Sequence, residues 1–209
     1  MNTDTKNAAI TTFQWYGLIR TEENWVNGKR EGLFVSWYDD GTKAWKEREE
    51  TYKNGKMEGP ATYWHTNGQT FSEGAYKNGK REGLFVSWYD DGTKESEQTY
   101  KNGKKEGLFT VWNGYGQKIE EMNYKNDKLE GLFVSWYDDG VMGAGMGTYK
   151  NGKKEGLFTV WNKYGQKVEE MNYKKGKREG LFVGWYDDGT KACEQTYKNG
   201  NEVKLQQAA

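Results

Sequence analysis

Apolar and polar residues alternate in short stretches along this chain, and each stretch is closed by a turn signal. In Gly83-Leu84-Phe85-Val86-Ser87-Trp88-Tyr89 the β-branched and aromatic residues favour an extended strand. Asp90-Asp91-Gly92 then suits a three-residue hairpin loop with glycine at its left-handed position. The return segment, Thr93 to Lys101, is polar until Tyr100. Asn102-Gly103 follows it, the dipeptide best fitted to a type I′ turn. Because the turns alternate, the pattern predicts two antiparallel strands per copy, each of about six or seven residues.

The copies can be counted from the glycine of a Glu-Gly pair, which falls at Gly32, Gly59, Gly83, Gly107, Gly131, Gly156 and Gly180. The step is 24 residues except for 27 at the first interval and 25 at the fifth. A period of this size marks a supersecondary unit stacked on copies of itself. Copies at Gly32, Gly83, Gly131 and Gly180 read GLFV(S/G)WYDDG, those at Gly107 and Gly156 read GLFTVWN(G/K)YGQK, and Gly59 opens a divergent member of the second kind. The expected fold is all-β: an elongated single-layer antiparallel meander sheet built from tandem β-hairpin repeats. About fifteen strands at 4.8 Å would give a sheet on the order of 70 Å long. Residues 1–24 are read as an N-terminal segment whose Trp15 to Ile19 stretch is a degenerate capping strand, residues 25–200 as the array, and residues 201–209 as a tail. The tail lacks a Gly-Leu-Phe strand, so the C-terminal edge is expected to be the more exposed. Pro60 replaces the usual leucine and removes one donor from its ladder.

Composition changes this picture in one respect. Only 34% of residues are hydrophobic and 30% are charged, a balance that without order would suggest disorder. Aromatics make up 16%, and each buried ring hides roughly 150 to 250 Å². The formal net charge is zero, so no global field draws the chain to nucleic acid, which is not an expected partner. Cys193 is the single cysteine and has no internal disulfide partner. No apolar run approaches a membrane span, and MNTDTKNAAITTF lacks the features of a signal peptide. A full-length chain is expected in the cytoplasm; export with a removed signal or a place at the membrane periphery stays open.

The phrases YKNGKREGLFVSWYDDGTK and YKNGKKEGLFTVWNGYGQK resemble MORN repeats, above all the bacterial variant in which Y-K-N-G-K-x-E-G-L precedes an aromatic strand. The resemblance runs from about Trp25 to Gly200. Trp25 replaces the usual tyrosine, Asn126-Asp127 lacks the turn glycine, and Lys175-Gly176 lacks the asparagine. The resemblance implies a twisted antiparallel sheet with a groove along one face, used for protein association and, by some proposals, for phospholipid contact. It also carries an antitoxin-like label.

Catalytic chemistry has little to work with. His65 is the only histidine, which rules out a His-based triad or a Cys/His metal site within one chain, and no cofactor or metal is expected. His65 is read as an exposed turn residue. The pairs Asp39-Asp40, Asp90-Asp91, Asp138-Asp139 and Asp187-Asp188 precede glycines and are read as turn chemistry, too far apart to share a calcium ion. Glu120-Glu121 and Glu169-Glu170 are adjacent on strands and face opposite sides. The chain is therefore expected not to be an enzyme.

Binding is the remaining chemistry. Alternation puts Leu84, Val86 and Trp88 on one face and Phe85, Ser87 and Tyr89 on the other, with Tyr100 on the phenylalanine side. Leucine and tryptophan carry more apolar area and are expected to be buried, leaving the tyrosine side as an open groove. The expected anchors for a protein, peptide, helix or second copy are Tyr76, Tyr100, Tyr124 and Tyr149 with Phe85, Phe109 and Phe133. Tyrosine covering the strand glycine is the expected reason for the Y-x-N-G-x-x-E-G phrase. The alternatives are glycan stacking on exposed rings and anionic phospholipid binding along a basic turn edge. That edge comprises Lys77, Lys80, Arg81, Lys101, Lys104, Lys105, Lys150, Lys153 and Lys154.

Overall fold

The structure is a computed structural model that describes residues 10–16, 19–39, 44–137 and 142–203. Every described element is a strand, and the strands follow one another in an open antiparallel meander. The chain divides into two compact units, Met1–Lys104 and Lys105–Ala209. The first unit holds β1 (Ile10–Tyr16), β2 (Ile19–Val26), β3 (Lys29–Arg30), β4 (Gly32–Asp39), β5 (Ala44–Lys53), β6 (Lys56–Trp64), β7 (Thr70–Lys77), β8 (Lys80–Trp88) and β9 (Lys94–Lys101). β10 (Lys104–Trp112) starts at the boundary. It is followed by β11 (Lys118–Lys125), β12 (Lys128–Trp136), β13 (Met142–Lys150), β14 (Lys153–Trp161), β15 (Lys167–Lys174), β16 (Lys177–Trp185), β17 (Lys191–Lys198) and β18 (Asn201–Glu202). β3 and β4 lie in succession against β2, separated only by Glu31. β1 pairs with β2 from Ile10 opposite Trp25 to Tyr16 opposite Ile19, which places Trp15 and Tyr16 in an outer strand. Gly17, Leu18, Asp40, Asp138 and Asp139 lie outside the described residues.

Both turn types form as their residues dictate. Asn102 has φ +52° and Gly103 φ +82°, the two left-handed positions of a type I′ turn. The turns that depart from Asn-Gly keep that geometry. Asn126-Asp127 adopts φ +50° and +67°, and Lys175 adopts φ +52°. A lysine in the left-handed region costs roughly 1–2 kcal/mol, so the flanking strands hold the turn against the preference of its own residue. In the second turn type, Tyr89 N donates to Thr93 O at 2.8 Å and Gly92 has φ +87°. The Asp91 carboxylate accepts from the Thr93 amide and hydroxyl, which hold its pKa below the usual carboxylate range. Asp188 and Thr190 repeat this arrangement.

The glycine of the Glu-Gly pair lies in a bulge. Met122 pairs with Phe133 and Tyr124 with Leu129, so Glu130-Gly131-Leu132 stands opposite Asn123 alone. The same slip recurs between Met171 and Tyr173 and between Glu50 and Tyr52. The bulge corrects the expected role of this glycine. Gly107 has φ +77°, and a Cβ built on it would meet nothing within 4 Å, so backbone conformation demands glycine there and no ring covers it.

Burial is shared between the two faces. On the phenylalanine face Phe34, Glu50, Gln98, Met122, Phe158 and Met171 are buried; on the leucine face Val35, Val86, Thr110, Thr159 and Val183 are buried.

Candidate functional site

The lysine turn edge is a ladder in which each turn leans on the one before it. Asn54 N donates to Glu31 Oε2 at 2.7 Å, Asn102 N to Glu82 Oε2 at 2.7 Å, Asn151 N to Glu130 Oε2 at 2.7 Å and Asn199 N to Glu179 Oε2 at 2.8 Å. The adjacent glycine amides donate to backbone: Gly55 to Arg30 O, Gly103 to Arg81 O and Gly152 to Leu129 O, at 2.9, 2.8 and 2.8 Å. The glutamate of one copy thus satisfies a turn amide of the next, which explains its fixed place in the phrase. The lysine after each turn glycine lays its stem over the following glycine. Lys80 Cβ would stand 3.3 Å from a Cβ on Gly103, and Lys153 Cβ 3.5 Å from one on Gly176.

The lysine edge is smaller than the sequence suggested. Lys77, Lys80, Lys101, Lys104, Lys150 and Lys153 are exposed and enter no ion pair among the described residues. Arg81, Lys105 and Lys154 are turned onto the ring face. The Arg81 guanidinium lies 4.9 Å from Phe85 and 5.1 Å from Tyr100, Lys105 Nζ lies 4.9 Å from Phe109 and 4.7 Å from Tyr124, and Lys154 Nζ lies 4.6 Å from Phe158 and 4.9 Å from Tyr173. Strand register is the reason. Tyr149 pairs with Lys154 and Tyr76 with Arg81, so this position shares the tyrosine face.

The ring face is packed edge to face. Phe85 sits 5.4 Å from Tyr76 and 5.1 Å from Tyr100, and Phe158 sits 5.4 Å from Tyr149 and 5.2 Å from Tyr173. Phe109 to Tyr124 and Phe133 to Tyr149 are longer, at 6.2 and 6.0 Å. The closer triplets form where the preceding strand carries Gly74 or Gly147; a Cβ there would stand 2.4 or 2.3 Å from the phenylalanine ring. Tyr76, Tyr100, Tyr124, Tyr149, Phe85, Phe109 and Phe133 are all half-buried in this arrangement. In the first unit the face also holds charge. The Glu50 carboxylate accepts from Tyr52 and Tyr63 at 2.7 and 2.8 Å, with Arg48 at 3.8 Å. Burial, reinforced by that carboxylate, pushes both phenols above the ordinary tyrosine value.

The opposite face leaves leucine open. Leu33, Leu84, Leu108, Leu132, Leu157 and Leu181 are between 41% and 52% exposed. Val86, Val183, Thr110 and Thr159 are buried on the same face, beside Lys–Glu pairs such as Lys118–Glu121 at 2.7 Å and Lys167–Glu170 at 2.9 Å. Trp64, Trp88, Trp112, Trp136, Trp161 and Trp185 are half-buried, and Lys167 Nζ lies 5.4 Å from the Trp185 ring. At the bulge the missing side chain opens a depression. In the second unit it measures about 580 Å³ and is walled by Thr148, Glu155, Asn172, Tyr173, Lys174 and Glu179.

The MORN repeat variant matches residues 57–78, 81–102 and 178–199, and the MORN repeat matches residues 24–43 and 146–157. The chain is a MORN repeat protein. No curated protein matches it. The matched stretches of this MORN array include its turns, bulges and ring-bearing strands.

The structure differs from the sequence reading at His65, which is half-buried, 2.8 Å from Trp88 O through Nε2 and 5.0 Å from the Phe71 ring. Among the described residues no three His, Cys, Asp or Glu side chains gather as a metal site. Sequence reasoning missed the exposed leucines, the glutamate ladder and the cations over the Phe85–Tyr100, Phe109–Tyr124 and Phe158–Tyr173 ring pairs. The last two had a signal, an acidic residue and a long side chain at fixed offsets from Asn-Gly, but their partners lie some twenty residues away, as for Asn102 and Glu82.

Proposed function

We propose that this MORN array is a non-catalytic scaffold that holds a protein segment along the leucine row of its second unit, Leu108, Leu132, Leu157 and Leu181. The observation that carries the reading is the exposure of these leucines, 41–49%, while Thr110, Thr159 and Val183 beside them are buried and Val134 is half-buried. MORN repeats commonly serve as protein- or lipid-binding modules. Successive leucines lie two strands apart, about 9.6 Å, and seven residues of α-helix rise about 10.5 Å. An amphipathic helix with an apolar residue every heptad therefore matches the row. The exposed lysines of the same unit, Lys128, Lys150, Lys153 and Lys174 among them, favour acidic residues along one flank of that segment. The expected tyrosine and phenylalanine anchors take a different part: their rings are engaged with one another and, at Phe85, Tyr100, Phe109 and Tyr124, with cations, so they are given the packing of the face behind.

The test is selection of displayed peptides against the full chain. Enriched peptides should be amphipathic with acidic flanks, and Leu132→Ser with Leu157→Ser should weaken their binding about ten-fold or more. Peptides that bind the folded double variant as well as the parent would contradict the proposal. A second reading, recruitment to anionic phospholipid, is favoured by the unpaired lysines Lys77, Lys80, Lys101, Lys104, Lys150 and Lys153. Co-sedimentation with phosphatidylserine vesicles that fades with added salt would support it.

A further inference from the structure

Asparagine followed by glycine is prone to spontaneous rearrangement, because glycine leaves its backbone nitrogen unhindered. The deprotonated glycine nitrogen attacks the asparagine Cγ. The N–Cγ bond forms, the Cγ–Nδ2 bond breaks, ammonia leaves, and water opens the resulting succinimide to aspartate or isoaspartate. The chain carries the pair at Asn27, Asn54, Asn67, Asn78, Asn102, Asn113, Asn151 and Asn199. Local conformation does not separate the hairpin turns, since Asn27 has φ +51° and Asn54, Asn78, Asn102, Asn151 and Asn199 all have φ +52°.

Docking does separate them. At Gly55, Gly79, Gly103, Gly152 and Gly200 the attacking nitrogen already donates to a carbonyl of the preceding copy at 2.8 or 2.9 Å. The backbone N–H of the asparagine beside it donates to Glu31, Glu58, Glu82, Glu130 or Glu179. At the opposite edge the attacked group is held instead. Asn67 Oδ1 accepts from Gln69 N at 2.9 Å, and Asn113 Oδ1 accepts from Tyr115 N and Gln117 N at 3.0 Å each. Asn27-Gly28 has neither restraint among the described residues. A Cβ on Gly28 would meet nothing within 4 Å, whereas one on Gly55 would meet the Lys29 stem at 3.5 Å.

We propose that Asn27-Gly28 is a site of spontaneous deamidation and that the glutamate ladder shields the docked turns from the same chemistry. Conversion places a new carboxylate in the turn between β2 and β3. The inference stands apart from the binding proposal and uses none of its residues.

Peptide mapping by mass spectrometry, with isoaspartate detection, on the full chain held in mildly alkaline buffer at body temperature tests it. Asn27 should convert roughly ten-fold faster than Asn54, Asn78, Asn102 or Asn151, the protection expected from two modest hydrogen bonds that must open first. In Glu82→Ala, shown folded by circular dichroism, Asn102 should accelerate several-fold while Asn54 and Asn151 do not. Urea should bring all these rates together. Equal rates at Asn27 and Asn54 in the folded chain would overturn the proposal. So would an unmoved Asn102 in folded Glu82→Ala, or a difference that persists in urea, which would assign the rates to neighbouring sequence. Should Glu82→Ala fail to fold, Glu130→Ala with Asn151 as its readout gives the same comparison.

Discussion

The two units carry the same hairpin and fill its ring face differently. In the first, the position two residues before the tyrosine or its tryptophan equivalent holds Glu23, Glu50, Gly74 and Gln98; in the second it holds Met122, Gly147, Met171 and Gln195. Glu50 needs two phenols and Arg48 to satisfy it. Met122 needs only the Tyr124 hydroxyl, which lies 3.2 Å from its sulfur. A buried carboxylate commits several neighbours at once, so the first unit is the less tolerant of change. Glycine and glutamine occur once in each set, so the difference is methionine at Met122 and Met171 where the first unit has Glu23 and Glu50. The leucine row follows the same division: Pro60 interrupts it in the first unit, and it runs unbroken over β10, β12, β14 and β16 in the second.

The sharpest way to break this comparison is to give the first unit the second unit's residue. Glu50→Met should destabilise the first unit by about 3 kcal/mol, because it takes the carboxylate acceptor from the half-buried Tyr52 and Tyr63 hydroxyls. Met171→Leu should cost less than about 1.5 kcal/mol. Adding Tyr63→Val to Glu50→Met should recover at least half of the loss, measured by urea unfolding followed through tryptophan fluorescence. No recovery would mean that the hydroxyl is not what makes Glu50 necessary.

Glycine gives the next largest effect. Gly147→Ala places a methyl 2.3 Å from the Phe158 ring and should cost about 2 kcal/mol through overpacking. Gly107→Ala has open space and pays only for its left-handed backbone, about 1 kcal/mol. Thermal unfolding of the two variants should rank them in that order; the reverse ranking would show that the bulge conformation, and not the ring triplet, is the tighter constraint.

The smallest effect is a pH dependence in the second unit. Burial raises the Glu120 pKa above its ordinary value. A raised folded-state pKa gives stability that is complete below the unfolded value and is lost as pH rises through the folded one. Stability should therefore decline slightly as pH climbs through and just above the carboxylate range, and Glu120→Gln should remove that part of the decline. An identical pH profile for the variant would show that Glu120 is solvated in the folded chain.

Strands, turns and repeat boundaries were legible because each rests on a local signal. Asn102-Gly103 dictates its turn and Asp90-Asp91-Gly92 its loop, whatever lies around them. The site was less legible. Burying leucine and opening tyrosine was a sound expectation from size alone, but it took no account of the bulge. Glu-Gly next to Leu132 removes the neighbours that would cover that leucine, while Arg and Lys from the turn close over the rings. The Lys-Asn-Gly-Lys-(Arg/Lys) phrase likewise looked like one basic edge until register sent its last residue to the other face. These outcomes depend on which residues face each other across strands.

The most direct test of the account compares the two faces of the second unit in binding. Titrate one selected amphipathic peptide against the parent chain, against Leu132→Ser with Leu157→Ser, and against Tyr124→Phe with Tyr149→Phe, each confirmed folded by circular dichroism. The account predicts about ten-fold or greater weakening in the leucine variant and near-parental binding in the tyrosine variant. Weakening in the tyrosine variant with an unchanged leucine variant would contradict it and place the docking surface on the ring face.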